Sequence, residues 1–117
     1  MRMSALAAFA AAVVLANQAS AQPVALSSTK TNDLARECSQ SVDILSGDFC
    51  TGYILGVFDT LAINNQVCGA PDDLAERVLA VGRNYVRDHP EDWDKAPTFV
   101  LGKAFRNAFP CGRSQRR

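Results

Sequence analysis

The chain has 117 residues, with 12 Lys and Arg against 12 Asp and Glu, and 48% of it is hydrophobic. Such a balance argues against nucleic acid, whose phosphates require a basic stripe. Once an N-terminal export segment is subtracted, what remains is one domain, small enough for its core alone to be marginal.

The export segment comes first. Arg2 precedes an unbroken apolar run from Ala5 to Ala16, and Ala19-Ser20-Ala21 closes it as a small-x-small cleavage site. This pattern reads as a cleaved signal peptide over residues 1–21. The run is about a dozen residues, short of the roughly 20 that a permanent membrane helix needs. The mature chain is therefore expected in the periplasm, not in a membrane, with cleavage removing Arg2 and leaving a net charge near −1. Residues 22–30 are small and polar and form a flexible lead-in to a domain over 31–111; residues 112–117 form a disordered basic tail.

A first helix is expected from about Asn32 to Ser39, with Leu34 and Cys38 one turn apart on one side. The strongest helical pattern runs from Asp48 to Asn64, where Cys50, Tyr53, Ile54, Val57, Phe58 and Leu61 recur at three- and four-residue steps. Gly52 and Gly56 interrupt it one turn apart, each costing about 1 kcal/mol against Ala. The expected offset is close approach of another backbone. Asp59 sits mid-helix near apolar neighbours and is expected to pair with Arg83 or cap a neighbouring helix. Asn64, Asn65 and Gly69 end this helix.

Pro71 opens a third helix at the position where proline is tolerated, with Asp72, Asp73 and Glu76 in its first turn. Leu74, Val78, Val81, Tyr85 and Val86 form its buried stripe, and His89-Pro90 ends it. A fourth helix begins near Asp94, with Pro97 in its first turn and Val100, Leu101, Ala104, Phe105 and Ala108 facing inward. No segment alternates with a strand period. The fold class is all-α: a small four-helix up-and-down bundle.

Four cysteines in a short exported chain read as two disulfides, with three possible pairings. In an up-and-down bundle the second and fourth helices end at the same pole, which brings together Cys68 and Cys111. Cys38 closes the first helix and Cys50 opens the second, so those two pair. A zinc site is not expected: there is no Cys-x-x-Cys, and the sole histidine, His89, lies beside a proline. Catalysis is not expected either. With every thiol oxidised and no Gly-x-Ser-x-Gly elbow, neither a Cys nor a Ser nucleophile is available, and no cofactor is implied.

Four ordered stretches carry a resemblance: Cys50 to Asp59 (CTGYILGVFD), Val67-Cys68 with Pro71 shortly after, Tyr85 to Glu91 (YVRDHPE), and Ala108 to Cys111 (AFPC). Their order and spacing resemble the Tai/Rap immunity proteins of bacterial type VI secretion, over about Leu34 to Cys111. Pro97 and the acidic Asp72-Asp73 depart from that pattern. The resemblance implies a periplasmic helical domain, commonly dimeric, that binds a peptidoglycan amidase effector and obstructs its active-site cleft. Two regions are candidates for that contact. Asp88, His89, Glu91, Asp92, Trp93 and Asp94 gather acidic charge around the only Trp. The alternative for this segment is a capped turn with Trp93 folded onto the bundle. The second region is Asn64 to Asp73, with Gln66, Asp72 and Asp73, held by the Cys68 staple. Rival readings are a periplasmic stress protein or chaperone without a cognate toxin, and a small enzyme acting through Asp59.

Overall fold

The structure is a computed structural model that describes residues 20–40 and 48–112. The apolar run of the expected signal peptide, residues 41–47 and the last five residues of the chain lie outside the described residues. Residues 20–30 carry no helix or strand, and Val24 and Leu26 stand exposed there.

Four helices follow: α1 (Thr31–Gln40), α2 (Phe49–Ile63), α3 (Leu74–Asp88) and α4 (Pro97–Ala108), with a short 3-10 turn at Pro90–Asp92 before α4. No strand occurs among the described residues. Helix α2 starts where Asp48 accepts a 2.7 Å hydrogen bond from the Thr51 amide, which satisfies one of the orphan N–H groups of the first turn. Helix α4 starts on Pro97, whose missing N–H is no loss at that position. Helix α3 begins at Leu74, three residues later than Pro71 suggested, because Asp73 takes a left-handed conformation (φ 59°) and breaks the helical path. Helix α4 begins at Pro97 and not near Asp94, because Ala96, the residue before the proline, is extended (φ −67°, ψ 129°).

The core is built from all four helices. Leu34 from α1, Ile54 and Phe58 from α2, Val78, Leu79 and Val86 from α3, and Leu101 and Phe105 from α4 are buried together. Phe58 meets Phe105 and Phe109 edge-on, with centroids 5.4 and 5.2 Å apart, the arrangement that aromatic quadrupoles favour. Truncating any of these rings to Ala should cost about 3–5 kcal/mol, since a close-packed interior cannot collapse around the void.

Both expected disulfides are present. Cys38–Cys50 ties the end of α1 to the first turn of α2, and Cys68–Cys111 ties the loop after α2 to the chain just beyond α4. The staples therefore lie at opposite ends of α2. Cross-links of this kind belong to an oxidising compartment, and a small domain gains from them what its core cannot supply. Among the described residues no helix is long and apolar enough to cross a membrane.

Two expectations about α2 are corrected. Among the described residues, a Cβ added at Gly52 or at Gly56 would meet nothing within 4 Å, so no described neighbouring backbone approaches them. Asp59 is exposed on the same side, and Arg83 donates instead to the Thr51 hydroxyl at 3.2 Å. The physical reason is rotation. Residues two apart on a helix lie about 200° apart, so burying Ile54 and Phe58 turns Gly52 and Gly56 outward. Close approach occurs on α3: a Cβ at Gly82 would lie 2.8 Å from Ile54 Cγ2.

Candidate functional site

The acidic segment between α3 and α4 is a pinned turn. The Tyr85 and His89 rings stack with centroids 3.9 Å apart, carrying α3 into the turn. His89 Nδ1 lies 2.8 Å from a Glu91 carboxylate oxygen. The 3-10 turn closes with the Trp93 amide donating to the Pro90 carbonyl, and Lys95 reaches back to the Asp92 carboxylate.

The turn is also sewn to α1. The Thr31 amide and hydroxyl both donate to the Lys95 carbonyl, at 3.0 and 2.9 Å, and the Asn32 amide donates to the Trp93 carbonyl at 3.1 Å. Thr31 is fully buried, so its hydroxyl requires that partner. Thr31 and Lys95 escaped the sequence reading, although Lys95 three residues after Asp92 is the usual spacing for such a pair.

Trp93 partly follows each alternative. Its indole N–H donates to the Val86 carbonyl at 2.7 Å, which fixes the ring against α3, yet 38% of the residue remains exposed. It is a held aromatic with one accessible side.

The charges of this turn divide into two kinds. Asp92 is buried, and the hydrogen bond from Lys95 holds its carboxyl below the ordinary value, so its carboxylate is engaged within the turn. Glu91, Asp94 and Asp88 point outward. Glu91 is held below its ordinary value chiefly by the hydrogen bond with His89, and Asp88 chiefly by that from Arg87. Glu91 and Asp88 therefore stay ionised at neutral pH and, with the exposed Asp94, place carboxylates beside Trp93. His89, Glu91 and Asp92 offer ligand atoms within 4.8 Å of one another, but these groups are engaged with each other and with Lys95.

The second candidate region is built differently. Asn65 adopts φ 56° to turn the chain out of α2, and Val67 is buried at 3% exposure. The Cys68 amide donates to the Phe109 carbonyl at 2.9 Å beside the disulfide, and Gln66 accepts from Arg106 at 3.3 Å. Asp72 and Asp73 are exposed at the start of α3. The two regions flank the 15 residues of α3, a span of about 22 Å at 1.5 Å per residue. They lie at opposite ends of that helix and do not form one site.

A third surface was not foreseen. Between α1 and α3 lies a groove of about 800 Å³, walled by Ala35 and Arg36 on one side and by Ala80, Arg83 and Arg87 on the other, with Trp93 at one end. Arg83 and Arg87 lie one turn apart on α3, and only the crossing of α1 over α3 brings Arg36 to them.

No curated protein and no solved structure matches the chain. A family model described as Rap1a immunity proteins matches residues 30–111, from the residue that precedes α1 to the last disulfide cysteine. The matched segment holds all four helices, both staples and both candidate loops, and the chain belongs to the Rap1a immunity protein family.

Proposed function

We propose that this protein is a periplasmic immunity protein, which binds a type VI secreted peptidoglycan amidase and covers its active-site cleft. The observation that carries the reading is the turn from Asp88 to Lys95, on a chain of this family: a fixed, half-open Trp93 ringed by outward carboxylates and hydrogen-bonded to both α1 and α3. A rigid loop loses little conformational entropy on binding, and an accessible aromatic is the residue type that dominates interface energetics. The carboxylates accelerate encounter with a basic cleft rim. Within this reading the turn is favoured over the Asn64–Asp73 loop because it alone carries an aromatic.

Dimer formation belongs to the same reading. The outward face of α2 carries Phe49, Gly52, Gly56 and Ile63, with Phe49 51% and Ile63 80% exposed. Two glycines with open space above them leave room for a second helix, which would cover the exposed Phe49 and Ile63.

The test is complex formation with an amidase encoded beside this gene, followed by size-exclusion chromatography and calorimetry. A stable complex is expected, weakened more than tenfold by Trp93→Ala and left intact by Asp72→Asn with Asp73→Asn. A deletion strain should lose viability against effector-armed sister cells. Full survival, or an enzyme that stays active when saturated with this protein, would refute the assignment. Mass spectrometry of exported material should find Gln22 as the first residue.

A further inference from the structure

The groove between α1 and α3 carries an inference that stands apart from the amidase reading. Its walls are helical and run from Asn32 to Ser39 on α1 and from Ala80 to Arg87 on α3. At 1.5 Å per residue each wall is about 10 Å long, the length of two helical turns. Every charged side chain among the described residues lining it is an arginine, and its lining is mostly apolar.

The three arginines are positioned differently. Arg83 is half-buried and fixed through Thr51. Arg36 donates from Nη2 to Asp33, and Arg87 donates from Nε and Nη2 to Asp88. These two pairs are exposed, with the guanidinium side chains 61% and 68% accessible. Exposed pairs of this kind are weak, so a carboxylate delivered by a partner competes with them on nearly even terms. Trp93 closes one end with its ring fixed by the Val86 carbonyl.

We propose that this groove is a docking site for a short acidic amphipathic helix of a partner protein. Two aliphatic side chains one turn apart enter between Ala35, Ala80 and Trp93, and flanking carboxylates meet Arg36 and Arg87. Apolar anchors at helical spacing laid in a groove are a recurrent mode of recognition. The charge sign of the lining selects an acidic segment over a basic one, and the two-turn length selects a helix over a small anion.

The experiment uses the intrinsic fluorescence of Trp93, the only Trp in the chain. A capped 12-residue peptide of Glu and Leu at helical spacing is titrated into the protein, with a Lys and Leu peptide of the same pattern as its counterpart. The Glu peptide should give a saturable emission shift that the Lys peptide does not. Ala80→Phe, at an exposed position on α3, should abolish it by filling the groove, with far-UV circular dichroism unchanged. Arg36→Glu with Arg87→Glu should weaken binding at least tenfold. Asp88→Asn removes an internal competitor and should tighten binding about two- to fivefold.

No saturable shift up to about 1 mM peptide, equal binding of the Lys peptide, or full binding by Ala80→Phe would overturn the proposal. The same shift produced by N-acetylglutamate amide would replace the helix with a small carboxylate. A shift that appears on concentrating the protein alone would replace it with a second copy of this chain. An effector complex can form while this titration fails, and the reverse, so the two readings fall separately.

Discussion

Replacing Gly82 by Ala should destabilise the protein, although Ala is by far the better helix former. A Cβ at this position lies 2.8 Å from Ile54 Cγ2, 3.2 Å from Cδ1 and 3.3 Å from Cγ1. Comfortable carbon contacts begin near 3.5 Å, so part of the Ile54 side chain must move. It has nowhere to go, because Ile54 is fully buried and its neighbours Val78, Leu79 and Leu101 are at most 1% exposed. Overpacking of this kind costs about 1–3 kcal/mol, and the gain in helix propensity returns about 1 kcal/mol. The expected net loss is thus about 1 kcal/mol, or roughly 4–8 °C in melting temperature for a domain of this size. Gly52→Ala and Gly56→Ala should go the other way, each gaining up to about 1 kcal/mol, because none of the described residues lies within 4 Å of either new methyl. The assay is thermal and denaturant unfolding by circular dichroism with disulfides intact, at a concentration low enough that association adds nothing. A double-mutant cycle with Ile54→Ala sharpens it: with the isoleucine removed, the penalty at Gly82 should vanish. A Gly82→Ala variant as stable as the parent would refute the close approach of α2 and α3.

Other outcomes follow from the same geometry. Removing the Cys68–Cys111 bridge, 43 residues apart in sequence, should cost more than removing Cys38–Cys50, 12 apart. On loop-closure entropy the losses are about 4 and about 3 kcal/mol, read from denaturation of the paired Cys→Ser variants. Thr31→Val should cost about 1 kcal/mol by deleting the buried hydroxyl bond to the Lys95 carbonyl, with unfolding midpoints as the measure. In acid the turn should loosen. The hydrogen bond from Lys95 holds the folded Asp92 carboxyl below its ordinary 3.8, so the stability it contributes is present above 3.8 and lost as pH falls through the lower folded value. Trp93 emission should report that transition, and Asp92→Asn should remove it; an unchanged acid profile in that variant would contradict the role given to Asp92. Finally, Glu91→Lys with Asp94→Lys should slow association with a cognate amidase several-fold while leaving dissociation nearly constant, as stopped-flow measurement would resolve.

The chain pattern by itself determined the number and order of the helices, the disulfide pairing and the family resemblance. Each rests on local information. Apolar residues at steps of three and four define a helix and its inner face, and Asp48, Pro97 and the Asn64-Asn65 pair mark ends that depend on nearby backbone alone. The pairing followed from topology, since alternating helices leave few cysteines at a common end. The helices after Pro71 and Asp94 start a few residues later than the pattern suggests, because the left-handed Asp73 and the extended Ala96 are non-helical residues with helix-compatible side chains.

Tertiary structure alone decided what each exposed or glycine position faces. Gly52, Gly56 and Gly82 all lie inside helices, yet of these three only Gly82 meets a neighbour among the described residues. Asp59 resembles a buried carboxylate until the rotation of α2 about Ile54 and Phe58 turns it to solvent. The same holds for the sites. Acidic residues around Trp93 were legible because they are contiguous, whereas Arg36 joins the Arg83 and Arg87 pair of α3 only through the crossing of α1 and α3. Periodicity specifies how a helix is divided into faces, but the rotation and crossing of helices are set by non-local packing, and that packing chooses the partner of every face.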